Sequence, residues 1–198
     1  MSGYFIGTSI VINDDAAYVH ESFSTVGVGT TENVKITASD VLGLDQFGSN
    51  VAVGSGRIVV GSHRDDVGSN ADQGSAYIYD LDGNNEVKIT ASDGAASDFF
   101  GDSVAVGSGR IVVGAFNDDD NGSNSGSAYI FDLDGNQLTK ITASDGANDD
   151  RFGDSVAVGS GRIVVGAFQD DDNGSNSGSA YIYETPKQTH YLDQLDGR

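Results

Sequence analysis

One fifteen-residue string dominates this chain. Phe47–Gly61, Phe100–Gly114 and Phe152–Gly166 all read FG-x-[SN]-VAVGSGRIVVG, at spacings of 53 and 52 residues. A period near fifty means that one supersecondary unit is built three times and that its apolar faces must be buried against its own copies. The one-residue difference in period falls in a single loop, because Gly61 to Gly74 is one step longer than Gly114 to Gly126. A segment that absorbs a length change without disturbing its flanks reads as an exposed loop.

Within each copy the signals are all β. "SVAV" and "RIVVGA" are short and valine-rich, and "GSG" between them makes a tight hairpin. "SAYIF" alternates small or polar with large residues, and "DLDGN" (80–84, 132–136) supplies an Asp-Gly turn. "KITAS" is then a fourth strand. No stretch has a sustained helical period. Four short antiparallel strands per copy is the pattern of a propeller blade.

The strand count leaves a remainder. Copy three ends after its third strand, at "AYIYE" (180–184), while a lone fourth-type strand, Val34 to Asp40, precedes copy one. Pooled, these make three complete blades, whereas closed rings take about four to eight. Three solutions stay open: two chains join to give about six blades, residues 1–33 supply a degenerate blade, or another protein covers the edges.

"KITASDGAASDFFGDSVAVGSGRIVVGA" (88–115) resembles the FG-GAP repeat, the blade unit of integrin-α-type β-propellers and of many bacterial and viral surface proteins. The Phe100-Gly101 pair and the "VVGA" ending at Ala115 are its two named ends, and "GSAYIF" fits the bacterial variety. Copy one departs with "VVGS". The resemblance implies an all-β fold of propeller-type blades, closed or covered by oligomerisation. It divides the chain into a β-prone N-terminal segment (1–33), three repeats (34–183) and a C-terminal tail (184–198) that reads as a docking peptide. "STVGVGTTENVKI" resembles, over about a dozen residues, segments of tail and fibre proteins of marine phages.

Composition narrows the function classes. Ten basic residues against thirty acidic ones give a formal charge of −20. No basic patch offsets this, which argues against nucleic acid and against anionic membrane surfaces. With 37% hydrophobic residues in regular runs, the chain is not expected to be disordered despite its charge. The absence of cysteine rules out disulfides and thiol catalysis. No apolar run approaches a membrane helix, and "MSGYFIGTSIVINDD" lacks the basic n-region of a signal peptide.

The acidic loop "GAFNDDDNGSNSGSAYI" (114–130) returns at 166–182 with one substitution, Asn117 to Gln169. Integrin-type blades often carry a DxDxDG calcium loop, and Asn117-x-Asp119-x-Asn121-Gly122 keeps that rhythm with amides in place of two carboxylates. The resemblance therefore implies weak calcium binding at Asp118, Asp119, Asp120 and Asn121, and at Asp170, Asp171, Asp172 and Asn173. A solvated loop that keeps blade edges apart is the reading set ahead of it. Arg57, Arg110 and Arg162 recur, as do Lys35, Lys88 and Lys140. Pairing with nearby carboxylates is their expected role, with little contribution from each exposed pair. Phe47, Phe100, Phe152 and Tyr77, Tyr129, Tyr181 are expected in the blade core.

No catalytic constellation stands out. His20, His63 and His190 lie outside the repeated motifs, and "GSGR" joins strand to strand, so it lacks the helix N-terminus of a phosphate loop. The expected function is a non-enzymatic structural or adhesive module. A phage virion component on the capsid or tail surface reconciles an extracellular type of repeat with the absent signal peptide. The alternative is a bacterial surface or secreted module for glycan or protein ligands. Expected partners are other virion or surface proteins, further copies of this chain, and a host-surface glycan or protein.

Overall fold

The computed structural model describes residues 9–13, 16–20, 34–40 and 42–185, the first two segments by their backbone alone. Residues 1–33 and 34–198 form separate compact units. In the first, β1 (Ser9–Asn13) pairs antiparallel with β2 (Ala16–His20), in keeping with the β-prone reading. The side chain of His20, the segment 21–33 and everything from residue 186, including His190 and the docking-type tail, lie outside the described residues.

In the second unit each repeat forms its own antiparallel meander. Blade 1 comprises β3 (Val51–Gly54), β4 (Arg57–Ser62), β5 (Ser75–Tyr79) and β6 (Val87–Ile89), hydrogen-bonded in that order. Blade 2 repeats it with β7 (Ser103–Gly107), β8 (Arg110–Ala115), β9 (Ser127–Phe131) and β10 (Gln137–Ile141). Blade 3 has three strands among the described residues, β11 (Phe152–Gly159), β12 (Arg162–Ala167) and β13 (Ser179–Glu184). The described residues contain no helix.

The local chemistry explains these bounds. Each first hairpin turns on Ser-Gly with both residues at positive φ (49° and 76° at Ser55 and Gly56), the geometry that a two-residue turn needs to match strand twist. The "DLDGN" segments are turns closed by their own aspartate: Asp80 Oδ1 accepts hydrogen bonds from the backbone N–H groups of Asp82 (3.0 Å) and Asn84 (2.8 Å). Asp132 does the same for Asp134 and Asn136.

One expectation is corrected here. Residues 34–38 form no strand, although their sequence matches the fourth-strand type. A strand requires a neighbour to share its backbone hydrogen bonds, and the described chain offers this segment none. It nevertheless lies against the blade 1 turn as β6 lies against the blade 2 turn. A side chain added at Gly83 would meet Ile36 and Val34, and one added at Gly135 would meet Ile89 and Val87.

The core lies between blades. Val59, Ala76, Ile78 and Ile89 of blade 1 pack on Phe100, Ile111, Tyr129 and Phe131 of the blade 2 side. The same layer recurs between blades 2 and 3, where Val112 and Ile130 meet Phe152 and Ile163. Central strand β9 is consequently buried on both faces.

The glycines of the two named motif ends meet across each seam. A Cβ on Gly61 would strike the carbonyl oxygen of Gly101, and one on Gly114 that of Gly153. Gly54 and Gly107 similarly leave 2.6 Å for an added Cβ from the carbonyl oxygens of Val106 and Val158. Only glycine allows backbones this close.

Candidate functional site

The most elaborate polar constellation is built once per blade. In blade 2 the Tyr129 hydroxyl lies 2.9 Å from Asp93 and 2.7 Å from Asp118. Lys140 Nζ lies within 2.9 Å of Asp93, 2.8 Å of Asp118 and 2.6 Å of Asp120. Three elements therefore converge: Asp93 arrives from the end of the preceding repeat, Asp118 opens the acidic loop, and Lys140 sits on β10. In blade 1 the corresponding groups are Asp40, Asp65, Tyr77 and Lys88, with Lys88 Nζ 2.7 Å from Asp40 and 2.6 Å from Asp65. Ser75 Oγ adds a bond of 2.5 Å to Asp65.

Blade 3 keeps half of this arrangement. The Tyr181 hydroxyl meets Asp145 (2.9 Å) and Asp170 (2.8 Å), but among the described residues no lysine joins them.

Electrostatics follow the geometry. Burial works against the Lys140 ammonium, yet its hydrogen bonds to Asp118, Asp120 and Asp93 outweigh that and raise its pKa above the ordinary lysine value. Lys88 behaves likewise with Asp40 and Asp65. The Lys88 hydrogen bond leads the effects that hold Asp40 below the usual carboxylate range. Burial and adjacent carboxylates push the Tyr129 hydroxyl far up, so it stays a neutral donor. These groups bind one another.

The loop residues proposed for calcium divide between two tasks. Asp118 and Asp120 converge on Lys140, an ammonium that the chain itself supplies. Asp119 turns back to accept from the Asn124 backbone N–H (2.7 Å), and Asn121 Nδ2 donates to the Ala143 carbonyl (3.2 Å). In blade 3 Asp170 Oδ1 accepts from Asp172 N (2.9 Å), Asp171 Oδ1 from Asn176 N (2.5 Å), and Asn173 N donates to Ser177 Oγ (3.2 Å). Among the described residues no three His, Asp or Glu side chains are grouped to hold a metal ion.

Two expectations change. The loops are not simply solvated, because the first aspartate of each, Asp65, Asp118 and Asp170, is buried. Lys88 and Lys140 do not make weak surface pairs, because each reaches one of these buried carboxylates, whereas Lys35 is exposed. Two of the three recurring arginines fit the simpler expectation better: Arg57 donates to the Leu133 carbonyl (3.1 Å) and lies 3.5 Å from Asp134, and Arg162 pairs with Glu184 at the surface, while Arg110 is buried. Arg57, Asp80, Asn85 and Asp134 line a cleft of about 260 Å³ at the seam between blades 1 and 2.

Sequence reasoning passed over a line of alternating rings and cations along one rim. Arg64 lies over Phe99 (5.6 Å), Phe99 stacks on Phe116 (5.5 Å), and Arg151 sits between Phe116 (5.4 Å) and Phe168 (5.7 Å). The signal was present: Phe116 and Phe168 both follow "VVGA". His63 joins this line through Phe99 and hydrogen-bonds Ser49 Oγ. Burial lowers its pKa, so it is neutral at pH values where an exposed histidine begins to charge.

Asp98 carries a pH dependence of its own. It is buried and accepts the Ala95 N–H at 2.6 Å. Burial, opposed by that hydrogen bond and aided by the Asp118 charge, pushes its pKa from 3.8 up to about 6. The folded state then holds a proton that the unfolded chain has already released. Its contribution is full below the unfolded value and is lost as pH rises to about 6. Asp98→Asn should therefore be more stable than the parent near neutral pH, by about 1–2 kcal/mol, and equal to it in acid. Urea denaturation across that range checks this.

The comparisons with known proteins agree with this architecture. The FG-GAP repeat model matches residues 30–79, 84–131 and 136–183. Its frame begins on the strand ahead of the Phe-Gly pair, so residues 34–40 open the first repeat in the way that 88–93 lead into the second. None of the curated proteins compared matches the chain. With three matches spanning most of its length, and with the glycines at both named motif ends packed against each other across the seams, this chain belongs to the FG-GAP repeat family.

Proposed function

We propose that the chain is a non-enzymatic structural and adhesive module, displayed on a phage particle at the capsid or tail. The observation that carries the non-enzymatic part is the Tyr-Asp-Asp-Lys constellation, whose titratable groups satisfy one another and join consecutive repeats. FG-GAP repeats build propeller-like modules that often serve binding and adhesion, and the likeness of residues 24–36 to phage tail and fibre segments supports the particle. The described residues include no helix long and apolar enough to cross a membrane.

The test is an antibody raised against the full chain, applied to purified virus particles and to cell envelopes from the source organism. Labelled particles support the proposal. Labelled envelopes without labelled particles overturn it in favour of a cellular surface module for glycan or protein. Turnover of a substrate by the pure chain would overturn the non-enzymatic reading in either setting.

A further inference from the structure

The two ends of the blade array expose what the internal seams bury. At the start, Val51 and Val53 are 65% and 71% exposed, whereas Val104, the blade 2 counterpart of Val51, is 6% exposed. At the finish, Ile182 is 71% exposed, whereas its counterparts Ile78 and Ile130 are both 2% exposed. Val164 is exposed where Val59 and Val112 are fully buried.

The close-approach glycines show the same truncation. Gly159 is the counterpart of Gly54 and Gly107, yet an added Cβ there meets nothing within 4 Å. Gly48, the counterpart of Gly101 and Gly153, is equally open.

The polar sites are complementary too. Among the described residues, blade 3 has Asp145 and Asp170 on Tyr181 with no lysine, and β13 has no strand on its outer edge. Among the described residues, 34–38 match the fourth-strand type but pair with no strand, and Lys35, at the register position of Lys88 and Lys140, has no hydrogen bond or ion pair.

We propose that a second copy of this chain docks end to end on the first, its residues 34–38 adding the fourth strand to β13 and its Lys35 entering the Asp145–Asp170–Tyr181 site. Lys88 and Asp93 already show the geometry within one chain: the lysine serves one blade, and the aspartate five residues on serves the next. Asp40 serves blade 1 in that manner, and Lys35 is the group left over. The neighbouring carboxylates of Asp170 and Asp145 raise the pKa of Asp172, and an arriving ammonium relieves that repulsion. Arg162, paired at the surface with Glu184, gains the Leu81 carbonyl and Asp82 of the second copy, as Arg57 has Leu133 and Asp134. Three blades from each of two copies give six, within the range of about four to eight that closes a ring. The docking does not depend on what the module binds.

The test is sedimentation velocity of the full chain, with and without a calcium chelator, alongside Lys35→Glu and Gly159→Ala. Lys35 is exposed, and Gly159 has space for a methyl group, so both variants should keep the parent's circular dichroism and melting as monomers. The parent should sediment as two chains regardless of chelator, and each variant should dissociate at concentrations about tenfold or more higher. A parent that is monomeric at every concentration overturns the proposal, as does undiminished association of both variants. Association that chelator abolishes and Lys35→Glu does not would also overturn it, in favour of a metal ion at the third acidic site.

Discussion

Replacing Lys140 with methionine should destabilise the protein by about 3 kcal/mol near neutral pH, because it leaves the buried Asp118 carboxylate beside Asp93 and Asp120 with no cation. The Lys140 ammonium lies 5.1 Å from the Tyr129 ring centre, and methionine keeps most of the aliphatic length without the charge, so the loss is electrostatic rather than a packing defect. Urea denaturation gives the difference. The sign with pH is determined. The pKa of Asp93 is lowered in the fold, with burial opposing and the Lys140 bond prevailing. Its contribution is thus present above the unfolded carboxylate value and is lost as pH falls through the lowered one. Parent and variant should converge in acid. Arg57→Met, which breaks a pair with the exposed Asp134, should cost less than about 1 kcal/mol from that ion pair. Equal losses for Lys140 and Arg57 would show that the triple carboxylate site does not outweigh an ordinary surface pair.

Phe100→Ala should cost about 3–5 kcal/mol. The ring is fully buried in the seam between blades 1 and 2, edge-on to Tyr129 (5.4 Å) and Phe131 (5.9 Å), and no neighbouring backbone can collapse into its place without moving a blade. Phe152 occupies the same position at the next seam, against Tyr181 and Tyr183, and should behave alike. Phe47→Ala should cost clearly less in the monomer, because that ring covers blade 1 at the open end and is only partly buried. Chemical denaturation of the three variants tests the ranking. A Phe47 variant as damaging as Phe100 would mean that the open end is packed as tightly as the internal seams.

The strands, their order and the seam residues were legible because each rests on signals a few residues apart. The valine runs, the Ser-Gly turns and the Asp-Gly turns are local, and a threefold repeat makes each signal count three times. The recurring phenylalanines and tyrosines were read as core because large apolar rings that return in register in every copy fill the seams together with the recurring isoleucines. The acidic loops were misjudged for the opposite reason. Asp118 looks solvated beside Asp119, Asp120 and Asn121, and its burial depends on Tyr129 and on Lys140, 22 residues away. The second carboxylate on Tyr129, Asp93, comes from 36 residues earlier in the chain. A pattern that joins two repeats cannot be read inside one, although the fixed spacing of Lys35, Lys88 and Lys140 marked the positions to watch.

Residues 34–38 mark the same boundary from the other side. Their composition is that of a strand, and local propensity alone calls for one. Pairing is a property of two segments, and among the described residues no edge is presented to them. The amino-acid sequence alone therefore determined the repeat, its all-β character, the turns and which side chains fill the seams, because these follow from short-range patterning and from burial of apolar faces. Only the tertiary structure decided which aspartates are buried, which lysine answers them, and that no described lysine joins the blade 3 site as Lys88 and Lys140 join the other two, because those depend on contacts between groups the chain keeps tens of residues apart.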